Sequence, residues 1–134
     1  MANYYTQYSF AIGNITPEEE VWVVKRLEWD EDPRYYPIYP YCAFENASDG
    51  SLHLWIHDDE GGSELDVLAE MLREFLSKFR PGDYVAFSWA DTCGKPRIDS
   101  FGGGAVFITN ADIAWMSTYD WMAEQAAKVK RGGE

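Results

Sequence analysis

The chain has 134 residues, of which 46% are hydrophobic and 16% aromatic, and this composition excludes intrinsic disorder and is sufficient for one core. Its formal charge is −12, from 23 acidic and 11 basic residues, so we expect no direct binding to nucleic acid, whose phosphates would be repelled. No apolar run approaches the ~20 residues of a membrane span and no signal pattern is present, so we expect no membrane association.

The first predicted elements are a strand and a helix. Residues Tyr4 to Ile12 alternate between polar and apolar, which predicts a strand. Thr16-Pro17-Glu18-Glu19 is a capping box with proline at the first helical position. The helix that it starts is predicted to run to about Trp29, with three residues facing inward: Val21, Val24 and Leu27.

A proline- and tyrosine-rich segment from Asp30 to Tyr41 predicts a long extended loop. Strands at 41–47 and 51–57 follow, joined through Asp49-Gly50, a strong hairpin signal. In the second strand Leu52, Leu54 and Ile56 are expected to face the core, and His53, Trp55 and His57 the other side.

The second half of the chain is predicted to hold two helices and two or three strands. Ser63 and Asp66 form a capping box, and the helix ends at Arg80-Pro81-Gly82. Strands are predicted at 84–90 and 105–109, whereas 112–117 is ambiguous. Thr118 is predicted to cap a last helix through Val129, with residues 128–134 as a frayed basic tail. The inward stripe of the second helix comprises Leu65, Leu68, Leu72, Phe75, Leu76 and Phe79.

This order of elements predicts an α+β fold in one domain, 1–134. The first six elements fit a split β-α-β (ferredoxin-like) sandwich, to which a C-terminal strand and helix are added. Strands 51–57 and 84–90 would then be parallel to each other, separated only by the first strand, and their C-terminal ends would share one edge. We expect a ligand pocket, if the protein has one, at this edge, which collects His57, Asp58, Asp91 and Cys93.

The segment 89–105 carries the strongest signal of chemistry, because it combines a thiol, two cations and three consecutive glycines. In a small enzyme or ligand-binding domain, Cys93 would be the nucleophile and His57 its base. Lys95 and Arg97, with the loop Gly102-Gly103-Gly104, would hold an anion or ligand. The alternative is structural: a buried or merely exposed cysteine, cations paired with Asp91 or Asp99, and glycines in a hairpin or bulge.

No metal and no cofactor is expected. His53 and His57 are four residues apart on a strand, roughly 13 Å, which is too far to chelate one ion. The glycine run matches no nucleotide-binding motif. Cys42 and Cys93 give no disulfide framework, and a reduced cytoplasmic protein is expected.

Clusters of acids suggest a basic protein surface as partner. Carboxylates fixed on capped helices can approximate the spacing of duplex phosphates. The strands also carry a set of aromatic residues, and we expect the C-terminal strand and helix to cover the face on which they lie: Tyr8, Trp55, Tyr84 and Trp89. The acids expected to bind the partner are Glu18, Glu19, Glu20, Asp30, Glu31, Asp32, Asp58, Asp59 and Glu60.

The segment 87–106, F-S-W-A-D-T-C-G-K-P-R-I-D-S-F-G-G-G-A-V, resembles a family of small uncharacterised bacterial and mobile-element proteins with the pattern F-x-W-x-x-T-C-x-K-P-R…F-G-G-G-A. The resemblance implies no activity, but a mobile-element setting favours inhibitors of host defence. The preferred hypothesis is therefore a non-catalytic acidic protein-binding module. In its most concrete form it is a DNA-mimicking inhibitor of a nucleic-acid-binding defence complex, of anti-restriction or anti-CRISPR type. The small enzyme and an ordinary interaction module are the alternatives.

Overall fold

The fold is α+β, as the sequence predicts. The structure is a computed structural model that describes residues 4–27, 41–58, 65–98 and 100–131. One antiparallel sheet has the strand order β2-β3-β1-β4-β5-β6. Its strands are β1 (Tyr4–Ile12), β2 (Tyr41–Asn46), β3 (Leu52–Asp58), β4 (Tyr84–Cys93), β5 (Gly102–Thr109) and β6 (Ile113–Ser117). The helices are α1 (Pro17–Leu27), α2 (Leu65–Phe79) and α3 (Thr118–Lys130).

The two faces of the sheet differ sharply. We call the side on which α1 and α2 pack the helix face, and the opposite side the open face. The core lies between the helix face and α2, because alternate residues of each strand point there. It includes Ile12, Leu54, Ile56, Val85, Phe87, Val106 and Ile108 from the strands, with Leu68, Leu72, Phe75 and Leu76 from α2.

Helix α2 follows its predicted stripe. Leu68, Leu72, Phe75 and Leu76 are buried, while Leu65 and Phe79 pack against the core partly buried. This agreement reflects a strongly amphipathic sequence, in which residues three and four apart share one face. The capping residue Ser63 lies outside the described residues.

Helix α1 is rotated relative to the prediction. Val21 and Val24 are exposed, whereas Val23 is buried and Trp22 packs on Phe75 with ring centroids 6.0 Å apart. The reason is an ion pair that the apolar pattern alone does not reveal. Glu19 is buried against Arg80 at the end of α2, and this contact turns the helix so that positions 19, 22 and 23 face inward.

The β2–β3 hairpin forms at Asp49-Gly50 as predicted. Gly50 adopts a φ of 86°, a left-handed value that glycine reaches without strain. The Asp49 carboxylate accepts hydrogen bonds from the backbone N–H and the hydroxyl of Ser51.

The C-terminal elements differ from the prediction in three respects. Residues 113–117 form strand β6 at the edge of the sheet, so this strand extends the sheet and does not cover it. Ser117, not Thr118, caps α3: its hydroxyl accepts from the N–H of Asp120 at 3.1 Å. Lys128 and Lys130 lie in the last turn of α3, where they complement the helix dipole, and are not part of a frayed tail.

The direction of the strands brings several chain segments to one end of the sheet. Tyr41 pairs with His57, so β2 begins where β3 ends, at Asp58. Arg80, just after the last residue of α2, donates to the carbonyls of Gly13 and Asn14, which follow β1 at the opposite end of the sheet. The first residue of α2 therefore lies toward the end that holds Asp58. We call this the Asp58 end. In sequence, segment 59–64 follows Asp58 directly and segment 28–40 leads into Tyr41, so each adjoins a strand residue at this end.

Candidate functional site

The segment 89–105 is mostly sheet. Strand β4 continues to Cys93 and β5 begins at Gly102, so the three glycines are strand residues and not a ligand loop. Close packing explains them. A Cβ on Gly104 would lie 2.1 Å from the Met116 carbonyl oxygen and 2.6 Å from the Trp89 ring, and one on Gly102 would lie 2.6 Å from the Tyr119 ring.

Asp91 is held by its neighbours. Its carboxylate accepts hydrogen bonds from the Thr6 hydroxyl at 2.9 Å and from the Trp89 indole N–H at 3.3 Å. These bonds join β1 to β4 and position the indole over Gly104. The chemistry supports a structural role for Asp91, because both carboxylate oxygens are occupied within the fold.

Lys95 and Arg97 lie in the turn after β4, and both side chains are exposed. The backbone of this turn is closed by hydrogen bonds from the N–H of Arg97 to the Lys95 carbonyl at 2.8 Å and from the Ser100 hydroxyl to the Arg97 carbonyl. The two cations thus project outward from an ordered turn. Asp99, an expected partner, lies outside the described residues.

Cys93 and His57 do not meet. Cys93 pairs with Tyr4 and His57 with Ser9, so they are separated by five residues along β1, more than about 15 Å. They also lie on opposite faces, because His57 stacks on Trp55 of the open face at 3.8 Å whereas Cys93 alternates in phase with Trp89. The predicted nucleophile and base therefore cannot act together. The prediction failed because β4 runs beyond the end of β3.

No three His, Cys, Asp or Glu side chains within the described ranges are grouped to hold a metal ion. Cys42 and Cys93 are both free thiols. No helix in the described part of the chain is long and apolar enough to cross a membrane.

Two of the acids expected to bind a partner are buried. Glu19 and Asp58 are each 3% exposed. The Glu19 carboxylate accepts from Arg80 at 2.7 Å and from the backbone N–H of Thr16 at 2.9 Å, as a capping box does. Burial alone would raise the pKa of Glu19, but these hydrogen bonds outweigh it and hold the pKa below its usual value.

Glu18 and Glu20, at the start of α1, are accessible but lie at the end of the sheet opposite to Asp58. Sequence reasoning grouped them with the acids at 30–32 and 58–60, and the topology separates them from Asp58. Asp30, Glu31, Asp32, Asp59 and Glu60 lie outside the described residues.

Negative charge is distributed very unevenly along the chain. The described residues contain fourteen of the 23 acids and ten of the 11 bases. Seven of the other nine acids fall in segments 28–40 and 59–64, where Arg34 is the only base. Within the helices, ion pairs neutralise further acids: Arg26 binds Glu74 at 3.2 Å, and Arg73 binds Glu70. The excess charge is thus concentrated in two segments that adjoin Tyr41 and Asp58 in sequence.

The open face is the surface that sequence reasoning missed. Trp55 and Tyr84 lie on it and are 37% and 59% exposed, so neither β6 nor α3 covers it as expected. Tyr8 and Trp89 belong to the helix face instead. Phe107 and Met116 are also exposed on the open face, at 46% and 53%. One sequence signal could have revealed this face: small residues alternate with the core residues along β4 and β5.

The open face is nearly devoid of charge. In the part of the chain that the structure describes, Glu45 on the edge strand β2 is its one charged residue, and β1, β3, β4, β5 and β6 place no Asp, Glu, Lys or Arg there. Charged residues usually make up about a quarter to a third of a surface. A face with exposed aromatic residues and a single charged residue among its described residues indicates an interaction surface.

Comparison with protein-family models, with curated proteins and with solved structures finds no match for this chain. Function is therefore argued from the surfaces themselves.

Proposed function

We propose that the protein is a non-catalytic binding module that presents the acids of its Asp58 end to a basic surface of a protein partner. The single observation that supports this is the uneven charge: segments 28–40 and 59–64 hold seven acids and one base, and in sequence they adjoin Tyr41 and Asp58, two strand residues of the Asp58 end. Such a concentration of one sign of charge accelerates and orients association with a basic partner.

The narrower form of the proposal is DNA mimicry. A nucleic-acid-binding complex of a host defence system, of anti-restriction or anti-CRISPR type, offers the required basic surface. The resemblance of segment 87–106 to mobile-element proteins is consistent with an inhibitor of this kind. The proposal also includes the cytoplasm, because both cysteines are free thiols.

A split β-α-β (ferredoxin-like) sandwich with an added strand and helix is the proposed fold type. The order β2-β3-β1-β4 and the helices after β1 and β3 support this assignment. The enzyme alternative has lost its support, since Cys93 and His57 are far apart on opposite faces.

The test is capture of partners from a bacterial lysate at ~50 and ~500 mM salt, followed by competition with duplex DNA. The triple variant Asp30→Lys/Asp32→Lys/Glu60→Lys should lose capture. The matched control, Glu18→Lys/Glu20→Lys/Glu45→Lys, changes the net charge equally at other places and should retain it. Cys93→Ala should also retain it.

Equal capture by both triple variants, or capture that does not change with salt, would reject an electrostatic site at the Asp58 end. Failure of duplex DNA to displace the captured partner would reject mimicry alone and leave the binding module.

A further inference from the structure

The residues of the open face form rows across the sheet, because paired residues on neighbouring strands lie side by side. One row follows the pairs Ala11–Trp55, Ala86–Phe107 and Phe107–Ala114. The register of β1 and β4, continued from Tyr8–Trp89, places Ala11 beside Ala86, and the stacked rings of Phe10 and Phe87 agree with this. Across the five strands the row is Trp55, Ala11, Ala86, Phe107 and Ala114.

The next row is built in the same way. It follows the pairs Ser9–His57, Ser88–Ala105 and Ala105–Met116. In order across the sheet it contains His57, Ser9, Ser88, Ala105 and Met116. Both rows are centred on a small residue of β4, the middle of these five strands.

The first row is self-complementary in size. If the sheet is rotated by a half turn about an axis parallel to β4 and laid on a copy of itself, each row meets its own reverse. Trp55 then lies over Ala114, Phe107 lies over Ala11, and Ala86 meets Ala86. In the second row His57 lies over Met116 and Ala105 over Ser9. In the first row each large residue thus meets a small one, as two sheets that interdigitate about 10 Å apart require, whereas in the second row the His57–Met116 pair brings two larger side chains together.

We infer that a second copy of the chain covers the open face, so that the protein is a two-fold dimer joined sheet to sheet. An isologous interface requires a self-complementary patch, and the first row provides one. The five strands of these rows place no charged side chain on the open face among the described residues, so two acidic chains can meet here without bringing like charges into the contact.

The size of the face is sufficient. It presents about twenty side chains, at the lower limit of the ~20–30 residues per side of a stable interface. A facing side chain can fill a depression of about 380 Å³ beside Phe107. This depression is lined by Ala86, Ala105, Ala114 and Met116. Trp55 is held in place by its indole N–H, which donates to the Ser9 hydroxyl at 2.8 Å.

The first test is the oligomeric state of the full chain, measured by sedimentation equilibrium between ~1 and ~100 μM. The wild-type protein should dimerise. Ala86→Arg should weaken the dimer by ~100-fold or more, because two guanidinium groups would meet at the two-fold axis. The matched control is Val21→Arg, an exposed valine of α1 that should leave dimerisation unchanged. Circular dichroism and thermal unfolding verify that each variant is folded.

The second test is a swap that only a neighbouring copy can rescue. Trp55 and Ala114 lie on β3 and β6, with three strands between them, so they cannot touch within one chain. Trp55→Ala and Ala114→Trp should each weaken the dimer by ~10-fold or more. The double variant should recover most of this loss, since each new indole then meets a new alanine in the partner.

A wild-type protein that is monomeric up to ~100 μM would overturn the inference. That result is also the one expected if a different protein covers the face. A dimer that persists in folded Ala86→Arg, or a double variant no better than the singles, would also overturn it. The inference does not depend on the proposed function, because a monomeric Ala86→Arg protein still carries the acids of the Asp58 end.

Discussion

The Glu19–Arg80 pair connects the first turn of α1 to the end of α2, and the Arg80 guanidinium also donates to the carbonyls of Gly13 and Asn14. We predict that Glu19→Gln lowers the free energy of unfolding by about 2–3 kcal/mol, because a partly buried cation loses its counter-ion. Urea denaturation at neutral pH measures this. Glu18→Gln, at an exposed neighbour, should change stability by less than ~0.5 kcal/mol.

The same pair predicts a pH dependence. The pKa of Glu19 is lower in the folded protein than its usual value. Its contribution to stability is therefore complete above the unfolded value of about 4.3 and is lost as the pH falls through the folded pKa. Stability of the wild type should fall more steeply below about pH 4.5 than that of Glu19→Gln. Parallel curves would contradict the assignment.

The partly buried thiol of Cys42 gives a second prediction at this scale. Burial raises the pKa of Cys42 to about 11, so its reactive thiolate is scarce near pH 8. Alkylation by iodoacetamide, followed residue by residue with mass spectrometry, should be slower at Cys42 in the folded protein than in urea by about 100-fold. Equal rates in the two states would show that the thiol is not shielded.

At the scale of the element, the orientation of α1 is the feature to test. Val23 is 1% exposed and Val24 is 45% exposed, although they are adjacent. Val23→Ala should cost about 2 kcal/mol, because it leaves a cavity beneath the helix. Val24→Ala should cost less than ~0.5 kcal/mol. The reverse order would support the helix orientation predicted from the apolar pattern.

The glycines of β5 provide a graded test of close packing. Gly104→Ala should cost about 3 kcal/mol, because the new Cβ would meet the Met116 carbonyl oxygen, which the β5–β6 pairing holds in place. Gly102→Ala should cost about 1 kcal/mol, because it meets the partly exposed Tyr119 ring, a side chain that can move. Thermal unfolding of the two variants distinguishes them, and a larger loss at Gly102 would contradict this account.

Sequence reasoning succeeded where one local pattern decides the structure. The stripe of α2 and the Asp49-Gly50 turn are of this kind, since their signals lie within a few residues. It failed where a distant partner decides. Arg80 sets the rotation of α1, and pairing with β1 and β5 extends β4 to Cys93. The nearly uncharged open face could not be predicted from any one segment, because it forms only when strands from different parts of the chain lie side by side.

At the scale of the whole molecule, the two proposed contacts should respond to salt in opposite directions. Binding of a basic partner should weaken between ~50 and ~500 mM salt, because screening reduces attraction to the Asp58 end. The dimer should hold or tighten over the same range. An axis parallel to the strands places both Asp58 ends on one side, and salt screens their repulsion. Sedimentation and capture with one preparation measure both, and a dimer that dissociates in high salt would contradict this arrangement.

The position of β1 between β3 and β4 has a consequence for synthesis of the chain. The Trp55–Ser9 bond spans 46 residues and the Thr6–Asp91 bond spans 85. A ribosome therefore exposes β1 well before either neighbour has been made, and pairings of such long range form slowly. We expect the β2–β3 hairpin to assemble early and to offer β3 to β1, whereas the other edge of β1 stays open until β4 emerges. During that interval the nascent chain is most in need of protection by a chaperone.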